Sequence, residues 1–166
     1  MPQTGAIRVG RFSRVLWGIT AVVVFVADQV TKAVVQGSIP EHTTVPLLPH
    51  FFNLVHTNNA GAAFGLFSDS PAPWKTVLLI VISGALLALV IAVMWRSQRL
   101  RWETGVGLAL ILGGALSNLF DRIRLGRVVD FLDVYYRSYH WPAFNLADSA
   151  IVVGAGFLVF QLLFLE

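Results

Sequence analysis

Residues 76–95 read TVLLIVISGALLALVIAVMW, a stretch with no charged side chain between Lys75 and Arg96. A helix needs about 20 mainly apolar residues to cross the hydrocarbon core of a bilayer, and this stretch supplies them without interruption. Working outward, three further runs approach that length: residues 15–37, 104–121 and 142–166. The spacing predicts four spans joined by a tail at 1–14 and by connections at 38–73, 96–103 and 122–141. The whole chain agrees with this reading. Of its 166 residues 56% are hydrophobic and 13% charged, where soluble domains carry about 25% charge, and the mean hydropathy is +0.71. That composition excludes an ordinary soluble domain and a disordered chain, and predicts an all-α integral membrane protein.

With no cysteine, disulfides, thiol catalysis and thiolate metal sites are excluded, so any chemistry rests on oxygen and nitrogen groups. The net charge of +3 does not point to nucleic acid, because the arginines flank apolar runs rather than forming an aromatic-interleaved stripe. Arg8, Arg11 and Arg14 before an apolar run also fit a secretory signal, but Asp28-Gln29-Val30-Thr31-Lys32 follows where a small-residue cleavage site belongs. An uncleaved first helix is expected. Lys and Arg cluster in the tail and in the loop with Arg96, Arg99 and Arg101, while residues 38–73 have neither. Both termini are therefore expected on the cytoplasmic side. The connection holding Arg122, Arg124, Arg127 and Arg137 departs from that rule.

Prolines 40, 46, 49, 71 and 73 surround a strand-like stretch, Phe51–Thr57, and Asn59–Gly65 predicts a turn and a second short strand. A small, partly β subdomain on the membrane surface is expected there. Gly113, Gly114, Gly154 and Gly156 are expected to permit close helix packing.

An up-down-up-down bundle brings the end of span one, the end of span three and the start of span four to one face. Asp28, Asp121, Asp130 and Asp148 all fall there. Any one of them could simply end its helix at the headgroups, but four together in or beside a bilayer mark a functional site. Asn118, Asp121 and Arg122 stand at i, i+3 and i+4, as do Asn145, Asp148 and Ser149, so each set shares a helical face. Lys32 beside Asp28, and Arg122 and Arg124 beside Asp121, suit structural acids. Asp148 has no cation within four residues, and Asp130 lies in an apolar run with Arg127 three residues before it. Two carboxyls forced together cannot both ionise, so one holds a proton while the other accepts one from water.

Rival chemistries fare less well. His42, His50, His56 and His140 lie outside the apolar runs, so Ser117 lacks the base a serine peptidase needs. No H-E-x-x-H pair is present, so no metal is expected. A proton-coupled transporter remains open on residue types alone, although its acids should sit near the midplane on broken helices.

The motifs Asp28–Lys32, Asn59–Phe64, Gly113–Arg122, Val128–Phe131 and Phe144–Ser149, in this order, resemble the lipoprotein signal peptidase (signal peptidase II) family. The resemblance implies Asp130 and Asp148 as the catalytic pair. It further implies that Asn118, Arg122 and Asn145 line the substrate pocket with Asn59 from the outer loop, and that Asp28 and Asp121 support fold or site. The implied fold is a four-transmembrane-helix bundle with a small β-cradle over 38–73 and a short helical flap over roughly 131–141, both on the outer face. The implied activity is an aspartic endopeptidase of the bacterial cytoplasmic (inner) membrane. It removes signal peptides from diacylglyceryl-modified prolipoproteins, cutting just before the lipidated lipobox Cys. No cofactor is expected; membrane lipids are expected partners, and a monomer the working form. Arg122 and its neighbours are also placed to meet anionic lipid headgroups. Ser117 departs from the family's frequent Gly, and the tail to Arg14 lies outside the matched region.

Overall fold

The computed structural model describes residues 10–61, 73–97 and 100–164. Four helices carry the apolar runs: α1 (Arg11–Ser38), α2 (Pro73–Arg96), α3 (Trp102–Leu125) and α4 (Leu146–Phe164). Each is long and apolar enough to cross a membrane. Between them lie β1 (Thr44–Leu48) and β2 (Phe52–Asn59), then β3 (Val128–Tyr136) and β4 (Tyr139–His140). The strands form one antiparallel sheet in the order β1-β2-β3-β4. The strand expected over Phe51–Thr57 is thus present as β2, whereas the one expected toward Gly65 falls outside the described residues.

The interior is inverted relative to a soluble bundle. Val22, Val23, Val26, Val30 and Val34 of α1 and Val77, Val81, Leu86 and Leu89 of α2 are all exposed. The fully buried side chains instead include Asp28, Ser117 and Asn145. Lipid gives helices no hydrophobic reason to associate, so close packing and polar contacts must hold them.

Helix α3 is the hub, packed against α1, α2 and α4. Its small residues allow this. A Cβ added at Gly113 would stand 2.5 Å from the Ala21 carbonyl oxygen, one at Gly114 2.4 Å from that of Ala147, and one at Gly154 2.5 Å from that of Gly107. Gly156 does not fit the expectation made for it, because its Cβ direction is open space. Trp17 fills the groove over Gly105 toward the other end of α3, and Thr104 hydrogen-bonds Gln161 of α4 there.

Helix α3 stops at Gly126, whose φ of +72° suits glycine and whose N–H donates to the Arg122 carbonyl at 3.0 Å. The chain turns there directly into β3. Residues 131–141, expected as a helical flap, instead form most of β3, a turn and β4. Val128, Val129, Phe131, Val134, Tyr135 and Tyr136 are β-branched or aromatic, and β2 offers a partner along most of their length. The cradle consequently draws strands from both long connections, 38–73 and 122–141. Asn53 and Asp133 face each other across β2 and β3, with Asn53 Nδ2 donating to Asp133 Oδ2 at 2.7 Å and His140 2.9 Å away on Oδ1.

These close approaches carry a prediction. Gly114→Ala should lower stability by about 1–3 kcal/mol, read as a lower thermal midpoint in a fixed detergent, while Gly156→Ala should leave the midpoint unchanged. Equal midpoints for the two variants would contradict the packing described.

Candidate active site

Helix α4 opens with a reciprocal cap. The Asp148 N–H donates to Asn145 Oδ1 at 2.8 Å, and the Asn145 N–H donates to Asp148 Oδ2 at 3.3 Å. This is the capping-box arrangement with Asn and Asp at its two positions. Asp28 reaches across from α1 to accept the Ala147 N–H at 3.0 Å, which satisfies another free donor of that first turn. Phe144, just before the cap, exchanges backbone hydrogen bonds with β3: its N–H donates to Leu132 at 3.0 Å, and its carbonyl accepts from Leu132 at 2.8 Å and Phe131 at 3.0 Å. Those bonds fix β3 beside the start of α4, bringing Asp130 to Asp148.

Asn145 joins the two acids. Besides capping Asp148, its Nδ2 donates to Asp130 Oδ1 at 2.7 Å. Asn59, at the end of β2, donates to Asp130 Oδ2 at 3.0 Å, and Asn118 donates to Asp148 Oδ1 at 2.8 Å. Asp130 is 2% exposed. Burial, and next the neighbouring Asp148 charge, push its carboxyl up from the ordinary 3.8 to about 7, against the opposing pull of Asn59, Asn145 and Lys32.

Asp28 and Asp121 occupy a separate buried cluster. Lys32 Nζ lies 2.6 Å from Asp28 Oδ2 and 2.7 Å from Asp121 Oδ2. Gln29 Nε2 donates to Asp121 Oδ1 at 2.7 Å and to Ser117 Oγ at 2.9 Å, and Ser117 in turn donates to Asp28 Oδ2 at 2.7 Å. The cation partnering Asp121 is therefore Lys32, not the adjacent Arg122 or Arg124. A helix presents residues one position apart to different sides, and Arg122 turns toward the Gly61 carbonyl at 3.3 Å. Sequence reasoning missed two members of the cluster: Gln29, and Lys32 as more than a counter-ion. Their signal was a buried-type polar run, Asp28-Gln29-Val30-Thr31-Lys32, inside an apolar helix. The two Asn-x-x-Asp sets also differ in purpose, since Asn145 caps a helix start while Asn118 bridges two clusters near a helix end.

A cavity of about 550 Å³ lies over the pair. Asn59, Asn118, Arg122, Asp130 and Asp148 line its polar part, and Trp141, Phe144, Ile151, Val152 and Val153 its apolar part. Val152 is 67% exposed and Val153 53%, so the apolar part continues onto the outer surface of α4. All six pocket residues expected from sequence, namely Asn59, Asn118, Arg122, Asp130, Asn145 and Asp148, are thus gathered here or directly behind the lining.

The family model for signal peptidase (SPase) II matches residues 20–164. The chain belongs to the signal peptidase II family. A lipoprotein signal peptidase from Solibacter usitatus (strain Ellin6076) is 47% identical over 143 residues, covering 86% of this chain and 87% of the relative. One from Syntrophotalea carbinolica (strain DSM 2380 / NBRC 103641 / GraBd1) is 43% identical over 140 residues, covering 84% and 85%. Two solved bacterial membrane enzyme structures obtained by the in meso method are each 29% identical to this chain. Their TM-scores are 0.82, covering 95% of this chain and 92% of that one, and 0.79, covering 95% and 96%.

The Asp130 environment predicts a pH dependence. The folded protein keeps a proton there that the unfolded chain releases, so stability falls as pH rises from 3.8 toward about 7. Asp130→Asn removes this loss. Thermal unfolding in one detergent should show the variant gaining on wild type between about pH 5 and about pH 8; a constant difference would contradict the assignment.

Proposed function

We propose that this protein is a membrane aspartic endopeptidase that removes signal peptides from diacylglyceryl-modified prolipoproteins, cutting just before the lipidated lipobox Cys, with Asp130 and Asp148 as its catalytic pair. The observation that carries this reading is the junction of two chemistries in one cavity. Two carboxyls sharing Asn145, Asp130 buried and Asp148 half-buried, adjoin an apolar wall that runs onto the lipid-facing side of α4. A peptide bearing acyl chains at its cut site requires both.

In this reading the acyl chains lie along Ile151, Val152 and Val153 while the peptide crosses the polar part. One acid takes a proton from water as the oxygen attacks the scissile carbonyl, and the other donates to the carbonyl oxygen. Asn59, Asn118 and Asn145 hold the carboxyls in place. Arg122, facing the cavity without a carboxylate within 4.0 Å among the described residues, binds the substrate backbone or its headgroup region. Asp28 and Asp121 support the site through Lys32 and the start of α4.

The placement favours the cytoplasmic membrane with both termini inside. Arg14 lies beside Trp95 of α2, its Nη2 3.4 Å from the Trp95 carbonyl, at the end of the bundle away from the cradle. Such a basic end suits the cytoplasmic side. The proposed working form is a monomer, since Asn59, Asn118, Arg122, Asp130 and Asp148 come together within one copy of the chain. A transporter finds no support in the geometry, because the acids gather at the cradle end of the bundle rather than along a path through it.

Purified protein should cut a diacylglyceryl-modified prolipoprotein and spare the unlipidated precursor. Asp130→Asn and Asp148→Asn, each checked for folding, should lose about 100-fold or more in turnover. Cleavage by either folded variant at the wild-type rate would overturn the pair.

A further inference from the structure

Lys32 has three N–H donors and no acceptor, and three buried oxygens surround it: Asp28 Oδ2, Asp121 Oδ2 and, at 2.9 Å, Asn118 Oδ1. Asn118 is the neutral member of that set, and its other end touches the acidic pair. Because the ammonium can only donate, the Asn118 amide must turn its oxygen to Lys32 and its Nδ2 to Asp148 Oδ1. A flipped amide would set donor against donor. We infer that Lys32 is a positioning residue acting on Asp148 through Asn118, so that Asp148 is the carboxylate that accepts the proton from water and Asp130 carries the shared proton.

The inference rests on the aspartic reading above, and the asymmetry of the two surroundings supports it. Asp148 accepts from an amide polarised by a buried ammonium, and its other oxygen accepts the Asn145 N–H at the positive end of α4. Among the described residues, Asp130 accepts only from the side-chain amides of Asn59 and Asn145. The oxygens of those amides face the neutral N–H groups of Gly61 and Asp148, at 2.9 and 2.8 Å. The charged groups facing the pair are Asp28 and Lys32 from α1 and Asp121 and Arg122 from α3, while β2 offers the uncharged Asn59. Asp130, pushed up to about 7 mainly by burial, suits the proton-holding role.

The step then balances. Asp148 takes a proton as the water oxygen bonds to the scissile carbon, and Asp130 gives its proton to the carbonyl oxygen, leaving a neutral gem-diol. As the C–N bond breaks, Asp148 returns its proton to the departing nitrogen. One diol hydroxyl returns a proton to Asp130, which restores the starting state without a covalent enzyme intermediate.

The test is the pH dependence of kcat on saturating diacylglyceryl-modified prolipoprotein. Lys32→Met with Asp121→Asn removes one charge of each sign and the donor to Asn118. Lys32→Gln with Asp121→Asn removes the same charges but keeps an N–H for Asn118. The Met pair should move the acid limb of the profile up by about one pH unit, tenfold in the proton equilibrium, with KM changed less than about threefold; the Gln pair should recover part of that shift. If the Met pair does not fold, Asn118→Ala should show the same displaced limb, since it cuts the same relay. An acid limb at the wild-type position in the folded variants overturns the inference, as does a change confined to KM. Failure of the underlying reading looks different, with Asp130→Asn or Asp148→Asn remaining active or wild type leaving the lipidated substrate uncut.

Discussion

A buried ammonium in a membrane protein must be fully partnered, and the way Lys32 meets that demand fixes much of the structure. Its contacts to Asp28, Asp121 and Asn118 tie α1 to α3 at one depth. Asp28 extends the tie to α4 by accepting the Ala147 N–H. Removing one member of such a cluster leaves a charge without compensation, at a cost of about 3–5 kcal/mol. Burying an ion pair is in itself weak evidence of stability, since apolar substitutes often serve as well. Its use here is register: three helices have one mutual depth at which Lys32 meets Asp28, Asp121 and Asn118 together while Asp28 reaches the Ala147 N–H. The Asn145 cap then forms where β3 arrives, and Asp130 meets Asp148.

That order of construction separates two kinds of acid that resemble one another in composition. Asp28 and Asp121 face a cation and are consumed by packing. Asp130 and Asp148 are held directly by amides beside an open cavity, with Lys32 and Arg122 acting on them from beyond salt-bridge distance, surroundings in which a carboxyl can hold a proton at one moment and release it at another. In the proposed function, the apolar wall along Ile151, Val152 and Val153 receives the acyl chains of a substrate that is itself partly lipid.

Much of this was legible in the chain. Uninterrupted apolar runs such as Thr76–Trp95 announce spans because lipid tolerates few alternatives, and the convergence of Asp28, Asp121, Asp130 and Asp148 follows from counting crossings. The resemblance carried by Asn59–Phe64, Gly113–Arg122, Val128–Phe131 and Phe144–Ser149 pointed to the residues that line or back the cavity. Other features depended on distant partners. Residues 131–136 continue β3 because β2 lies alongside, and 139–140 fold back on β3 as β4, which local propensity left undecided. Asp121 pairs with Lys32 of another helix rather than with adjacent arginines, because neighbours in sequence point to different sides of a helix. Gly154 meets the Gly107 carbonyl of the neighbouring helix whereas Gly156 meets nothing, and only the crossing point of α3 and α4 distinguishes them.

In the proposed function, water activated by a pair of carboxyls cuts a lipidated precursor directly. The most direct measurement is a single turnover in oxygen-18 water with mass analysis of both products. The signal peptide should be released at the bond before the lipidated Cys, with one heavy oxygen in its new carboxylate. A first-turnover carboxylate carrying only light oxygen would mean an enzyme carboxyl had attacked the bond itself, and a cut elsewhere would mean the lipid does not set the register; either result would contradict the proposed function.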